Sequence, residues 1–430
     1  MVWKRPFSDL VVGVIYTKPF KLPPVQCYLQ TNASSIAQVL GVPGQSKLIL
    51  FLAVILAIDA IAAIPFARLR LENKPITFAL AKLGAIVCTI LLNLIFLVVP
   101  DWIDHNQSMQ WLAPVVQWYQ IEGFGVGYVF LANLLGNSLI LIFLGKYLLQ
   151  IGPQLKWSQI KPLLIYGLPI FFMGLAGIAN EQADKLLIPA LLPDNFYPGK
   201  SSMAALGIYG ASFKLSIFML LAIQAFRYAG EPFFFAQAQN KKAPELFAKV
   251  LYYFVITCCF ILIAVSLNLN LIGNIFLRQA SYREALYLVP ILLMGKLLFG
   301  VYVNLSIWFK LVDKTLVGTY ISLIGACITV VLNVILIPQI GYLGSALASV
   351  ACYGGMSTIC YYWGRNYFPV PYRWKAIFVY LLVSLVLVYA TPMLYSAQNW
   401  WNNTLNLLIP LSFVGIVYLV EKRNIYTKTP

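Results

Sequence analysis

Four ionisable residues lie well inside long apolar runs: Asp59, Lys82, Lys214 and Lys296. A charge in a hydrocarbon layer costs about 2.5–3.5 kcal/mol on insertion scales, so each is expected to face water or a partner. Counted from the charge-poor end of its run, Asp59 is eleven residues past Leu48, Lys214 eleven past Met203 and Lys296 eleven past Ala285. At about 1.5 Å per helical residue, all three sit roughly 16 Å deep, in one layer. Two ammonium groups and one carboxylate at one depth describe a central polar cavity with an excess of positive charge. The alternative is a structural bridge between Asp59 and one of the lysines. Lys82 lies six residues from the other end of its run, near enough to snorkel. A second cluster, Glu181, Asp184 and Lys185, stands at the end of another run. Glu181 and Lys185 are spaced i, i+4 and can pair on one helix face as a rim salt bridge. Lysines in a partly dry cavity attract anions strongly, because the local dielectric is low. Phosphate or pyrophosphate is the matching chemistry; a carrier of cations would show acids and aromatics instead.

These residues need long helices to hold them. The chain has 430 residues, 61% hydrophobic and only 10% charged, which predicts an all-α, multi-spanning membrane protein. A β-barrel is excluded because its strands alternate, and these runs are continuously apolar. Eleven runs fit membrane spans: roughly 48–67, 76–99, 124–149, 160–182, 203–229, 246–270, 285–309, 316–338, 341–363, 376–395 and 404–420. In the run around Lys214, Arg227, Glu231 and Pro232 follow, and Pro232 predicts a helix break there. Pro65, Pro169, Pro290, Gly295 and Gly300 interrupt other runs, either as ordinary kinks or as joints of moving helices.

The loops alternate in charge. Arg68, Arg70 and Lys74 follow the first run, whereas no lysine or arginine lies between Pro100 and Gly123. Trp102, Trp111, Trp118, Trp400 and Trp401 crowd the charge-poor loops, as interfacial anchors do. The positive-inside rule then places the basic loops and the C-terminus in the cytoplasm. Under that rule the net charge of +16 reports topology rather than nucleic-acid binding. Six of the seven cysteines lie in apolar runs with no CxxC pair, so they read as core residues and not as a disulfide frame or metal site. The single histidine, His105, argues against metal or histidine-based catalysis. One feature breaks the charge pattern. With eleven spans and the C-terminus inside, the N-terminus falls outside, yet residues 1–47 carry Lys4, Arg5, Lys18, Lys21 and Lys47. Either the weakly apolar run Leu10–Tyr16 hides a poor span, or helices preceding this start are missing; the second is favoured.

Three segments carry a family resemblance: Ile55–Leu83 (ILAIDAIAAIPFARLRLENKPITFALAKL), Tyr166–Pro193 (YGLPIFFMGLAGIANEQADKLLIPALLP) and Leu206–Ala238 (LGIYGASFKLSIFMLLAIQAFRYAGEPFFFAQA). They resemble Wzx-type polysaccharide flippases, of the transporter superfamily that also holds MATE multidrug exporters and MurJ. The resemblance runs from about residue 35 to the C-terminus. It implies two six-helix lobes around a central cavity, often with two extra helices. It also implies alternating-access flipping of an undecaprenyl-pyrophosphate-linked oligosaccharide across a bacterial inner membrane, for surface polysaccharide or lipopolysaccharide biosynthesis. Mapped onto this chain, 1–47 is an atypical N-terminal segment and 48–159 a partial first lobe of three helices. Residues 160–363 form the second lobe of six, and 364–430 hold two additional helices and a tail. The first lobe is thus three helices short of the family pattern.

The resemblance implies a substrate site at Lys214 in YGASFKL and at Asp184 and Lys185 in NEQADKL, and the shared depth adds Lys296 and Asp59 to it. Asp59 either neutralises the empty cavity or carries a coupling ion, sodium or proton. Glu181, Arg227 and Glu231 are expected as gate or structural cap. No cofactor, metal or catalytic residue is expected. The implied partners are the lipid-linked oligosaccharide, membrane lipid, and the polymerase and glycosyltransferases of the same pathway. Two other readings are a multidrug or small-solute antiporter of the same fold and an inactive truncated relative. An enzyme is disfavoured, because the charge-poor loops are short and lack paired acids with a histidine at useful spacing.

Overall fold

The computed structural model describes residues 32–39, 45–72, 74–105, 111, 114, 116, 119–121, 124–149, 157–193, 195–238, 240–277, 279–394 and 400–426. Among them every regular element is a helix. Lipid requires this, since each backbone N–H and C=O must find a partner within its own segment. Nine of these helices are long and apolar enough to cross a membrane, and one bent pair makes a tenth if it is a single span. The remaining expected run, 160–182, is present within the helix Trp157–Leu191. Most of segment 1–47, including Leu10–Tyr16, lies outside the described residues, as does Trp118. Trp102 and Trp111 are exposed, as anchors should be.

The chain divides into two compact units, Met1–Ile165 and Tyr166–Pro430. In the first, α1 (Ser46–Leu71), α2 (Pro75–Asn93) and α3 (Gly127–Leu149) pack together, with α3 against both others. Ala62, Ala81 and Ala85 lie in its core beside Phe66 and Leu144, and their small side chains let the helices approach. The α1–α2 turn is held by Glu72, which accepts from Arg68 Nε at 2.6 Å and from Lys74 Nζ at 2.7 Å. Hydrogen bonds from Lys74 and then Arg68 keep the Glu72 carboxyl below its ordinary value. A lowered carboxylate stabilises the fold above its unfolded pKa and loses that contribution as pH falls through its folded pKa. Glu72→Gln should therefore lower Tm by a degree or so at neutral pH, because partly exposed pairs contribute little. The difference from the parent should shrink as pH falls below the ordinary carboxylate range, at about pH 3 and lower. Thermal melts at both pH values check this.

The second unit contains most of α4 (Trp157–Leu191), then α5 (Ser202–Leu215), α6 (Ile217–Gln237), α7 (Ala243–Leu267) and α8 (Val289–Leu305). It continues with α9 (Thr315–Ile340), α10 (Tyr342–Arg365), α11 (Trp374–Ala390) and α12 (Trp400–Tyr426). α10 packs along both α8 and α9, and α7 packs against α8, α11 and α12. Cys258, Cys259, Cys352 and Cys360 are buried free thiols in this core, as expected of small core residues. Backbone meets backbone closely at the α9–α10 corner. A Cβ on Gly344 would stand 2.7 Å from the Leu336 backbone carbonyl carbon, so only glycine fits.

The breaks differ from those the sequence predicts. No break occurs at Pro232, since α6 runs through it to Gln237. The span instead bends by 45° at Ser216, between α5 and α6. There the Ser216 N–H and hydroxyl both donate to the Phe213 carbonyl, at 3.0 and 2.7 Å. That tight turn replaces the ordinary helical bond, a known way for serine to bend a helix. Pro290 is not a mid-helix break either. It occupies the first turn of α8, where its missing N–H costs no helical bond. Gly295 and Gly300 sit inside continuous α8, and Gly300 makes room for the Phe254 ring.

Candidate functional site

The polar residues of α4 converge on α8 and α10 at one small cleft, lined by Asn180, Glu181, Phe213, Leu292, Gly295, Lys296, Ser349 and Tyr353. Lys296 Nζ donates to Glu181 Oε1 at 2.7 Å. The lysine is buried, with 6% of its side chain exposed, while Glu181 keeps 37%. A desolvated ammonium needs a counter-charge, and α4 supplies it from across the cleft. In this conformation the cleft leaves space for about one water molecule.

A second lysine stands close by. Lys185 Nζ donates to Gln182 Oε1 at 2.8 Å and to the Glu181 main-chain carbonyl at 3.3 Å, and lies 3.9 Å from Asp184 Oδ1. The i, i+4 pair expected between Glu181 and Lys185 therefore does not form between their side chains. The Glu181 carboxylate is taken by the more deeply buried Lys296. Both ammonium groups lie over the ring of Phe213, at 3.8 Å for Lys185 and 4.9 Å for Lys296. The negative face of the ring offsets part of their mutual repulsion.

Asp184 is 3% exposed. Its Oδ1 accepts from the Lys185 N–H at 2.8 Å, and its Oδ2 from the Tyr209 hydroxyl. Tyr209 and Phe213 are one turn apart on α5, so this helix contributes both the partner of Asp184 and the ring beneath the lysines. Asn180, on the cleft wall, ties α4 to α9 by donating to the Ser322 carbonyl at 3.3 Å and accepting from Thr329 at 3.4 Å.

The other expected site residues lie elsewhere. Lys214 follows Phe213 in the last turn of α5, exposed, with no ion pair or hydrogen bond among the described residues. It does not line the Lys296 cleft. The carbonyls at this helix end favour a cation there. Asp59 is exposed on α1 in the first unit and pairs with no lysine among the described residues. Lys82 is also exposed, with its ammonium 4.8 Å from the centroid of Phe66. Arg227 is exposed on α6; the side chain of Glu231, on the same helix, lies outside what the structure describes.

Sequence reasoning missed Tyr209, Phe213, Ser349 and Tyr353. The i, i+4 spacing of Tyr209 and Phe213 beside Lys214 is a signal that could have been read. Ser349 and Tyr353 share the same spacing on α10, but nothing nearby in the chain links them to Lys296.

No protein-family model matches this chain, and no curated protein does. Solved structures do. A lipid II flippase MurJ in an inward closed conformation superposes with a TM-score of 0.66 at 14% identity, covering 98% of this chain and 89% of its own. An inward-facing multidrug resistance MATE family transporter of the MOP superfamily gives 0.58 at 14% identity, covering 84% and 78%. A MATE protein in a bent conformation gives 0.54 at 14% identity, covering 88% and 78%. At these identities the likeness concerns architecture, and with the apolar helices it leads to one statement: this chain is a multi-pass membrane protein with the fold of MurJ and the MATE transporters.

Proposed function

We propose that this chain is a transporter that flips an undecaprenyl-pyrophosphate-linked oligosaccharide across a bacterial inner membrane, for surface polysaccharide or lipopolysaccharide biosynthesis. The supporting observation is the pair of ammonium groups, Lys185 and Lys296, gathered over one aromatic ring within an apolar helical unit. Glu181 and Asp184 balance these two charges in this conformation, and an anionic ligand reaching the ammonium groups would take over that role. Lys214, one residue from that ring, is exposed outside the cleft and would meet an anion only on its approach. The fold shared with a lipid II flippase supports the same class of cargo.

In this reading the pyrophosphate engages the lysines, the sugar rides in water and the polyprenyl tail stays in lipid. Asp59 neutralises the empty cavity or carries a coupling ion, sodium or proton, and Arg227 and Glu231 act at the cytoplasmic end as gate or cap. The C-terminus is cytoplasmic, and the polymerase and glycosyltransferases of the pathway are the partners. A Lys185→Ala variant should lower surface polysaccharide about tenfold in a flippase-null strain, the loss of about one charged contact. Full restoration of polysaccharide by this variant would count against the proposal.

A second reading has one observation in its favour. Asp184 is a buried carboxylate held by Tyr209, which suits a cation or proton site of an antiporter with the MATE fold. Transport assays with an organic cation in proteoliposomes separate the two readings, since the flippase should not move it.

A further inference from the structure

The Tyr353 hydroxyl is the least explained polar group of the cleft. Tyr353 is 5% exposed and lines the same space as Lys296 and Glu181. Its ring meets Phe299, with centroids 5.1 Å apart, yet its hydroxyl makes no hydrogen bond among the described residues. The residue is buried but lines the cleft together with Lys296, so its hydroxyl can meet a group that enters there. Lys296 has three N–H donors, of which Glu181 takes one at 2.7 Å, and no other acceptor bonds them among the described residues. The cleft therefore holds unused donors of two kinds and, among its lining residues, one carboxylate, which is on the more exposed side chain of the pair.

We propose that Lys296 Nζ and the Tyr353 hydroxyl form a phosphoryl-oxygen subsite, and that the Glu181 carboxylate is a resident counter-ion which the ligand displaces. This inference rests on the anion reading above. A carboxylate and a phosphoryl group present similar acceptor oxygens, so each satisfies Lys296 in turn. A phosphoryl group has more oxygens than Glu181 offers from its side of the cleft, and so can also reach the hydroxyl. Displacement explains how a cleft closed to about one water can still be a binding site: Glu181 is its stopper. It also avoids leaving Lys296 buried without a counter-charge when no ligand is bound.

The test uses the full chain in lipid nanodiscs, with geranyl pyrophosphate as the probe and geraniol as the uncharged control, read by calorimetry. Glu181→Gln removes the competitor and should bind the pyrophosphate about tenfold tighter than the parent, a gain of about 1.4 kcal/mol. Its Tm should be lower than the parent's without ligand and rise more on adding it. Tyr353→Phe should bind about fivefold more weakly, the loss of one hydrogen bond. If the glutamine variant does not fold, Glu181→Asp keeps the charge, withdraws it by one methylene and should also tighten binding. If the parent binds the pyrophosphate but neither Glu181 variant tightens, the counter-ion role is overturned while the anion reading stands. If Tyr353→Phe matches the parent, the subsite is overturned. If the parent binds tetraphenylphosphonium and no pyrophosphate, the anion reading falls first and this inference with it.

Discussion

Replacing Lys296 by alanine should abolish transport, cutting surface polysaccharide in a flippase-null strain by about 100-fold or more. Truncating one partner of a buried, hydrogen-bonded charge pair costs about 2–5 kcal/mol, much of it from the charge left behind. Here the charge left behind is Glu181, 37% exposed, so water relieves part of that cost and the chain should still fold. The transport defect has a different origin, the loss of the deeply buried ammonium that lines the cleft. A paired variant separates the two. Lys296→Met with Glu181→Gln removes both charges while keeping the shape, so its Tm should return to within a few degrees of the parent. Its transport should stay absent. Recovery of polysaccharide by the double variant would make the Lys296–Glu181 pair a structural bridge and nothing more.

The second large effect concerns folding. Gly344→Val should reduce the thermal stability of the detergent-purified protein severely, by about 3 kcal/mol or more, at the upper end of overpacking costs. The first atom added at Gly344 would lie 2.7 Å from the Leu336 carbonyl carbon and 2.8 Å from its oxygen. Those are backbone atoms of α9, and they cannot rotate away as a side-chain tip could. Gly341, at the turn between the two helices, has φ +61°, and Tyr197 crosses that corner, stacking on Tyr342 at 4.4 Å. The corner has no slack, so α9 and α10 would have to separate. α10 carries Ser349 and Tyr353 into the cleft, so the variant should also lose pyrophosphate binding. An unchanged melting temperature would show that the α9–α10 corner can open freely. By contrast, an added Cβ on Gly354 meets Leu298 at 3.7 Å and nothing closer among the described residues, so Gly354→Ala should melt like the parent.

The helical, membrane-spanning character of this protein was legible in its sequence, for a simple reason. Lipid leaves so few ways to satisfy a backbone that about twenty successive apolar residues already specify a helix. Residues Lys296, Glu181, Asp184 and Lys185 could be singled out on the same ground, since charges near or inside apolar runs demand explanation. Their pairing could not. Residue spacing describes one helix at a time and favoured Glu181 with Lys185, but the partner that holds Glu181 is 115 residues away on α8. The depth argument grouped Lys214 with Lys296, and a residue count says how far down a side chain lies but not which way it points. Only the packed structure turns Lys296 inward to the cleft and Lys214 outward, although Phe213, beneath Lys185 and Lys296 in space, is the neighbour of Lys214 in sequence. The bend at Ser216 belongs to the same class of facts, because two competing donors on one carbonyl decided it over the nearby proline. Hydrophobicity and charge placed along a chain settle what must be buried and what must be paired. Which of several eligible partners is reached depends on how the helices rotate and cross, and that is set by contacts remote in sequence.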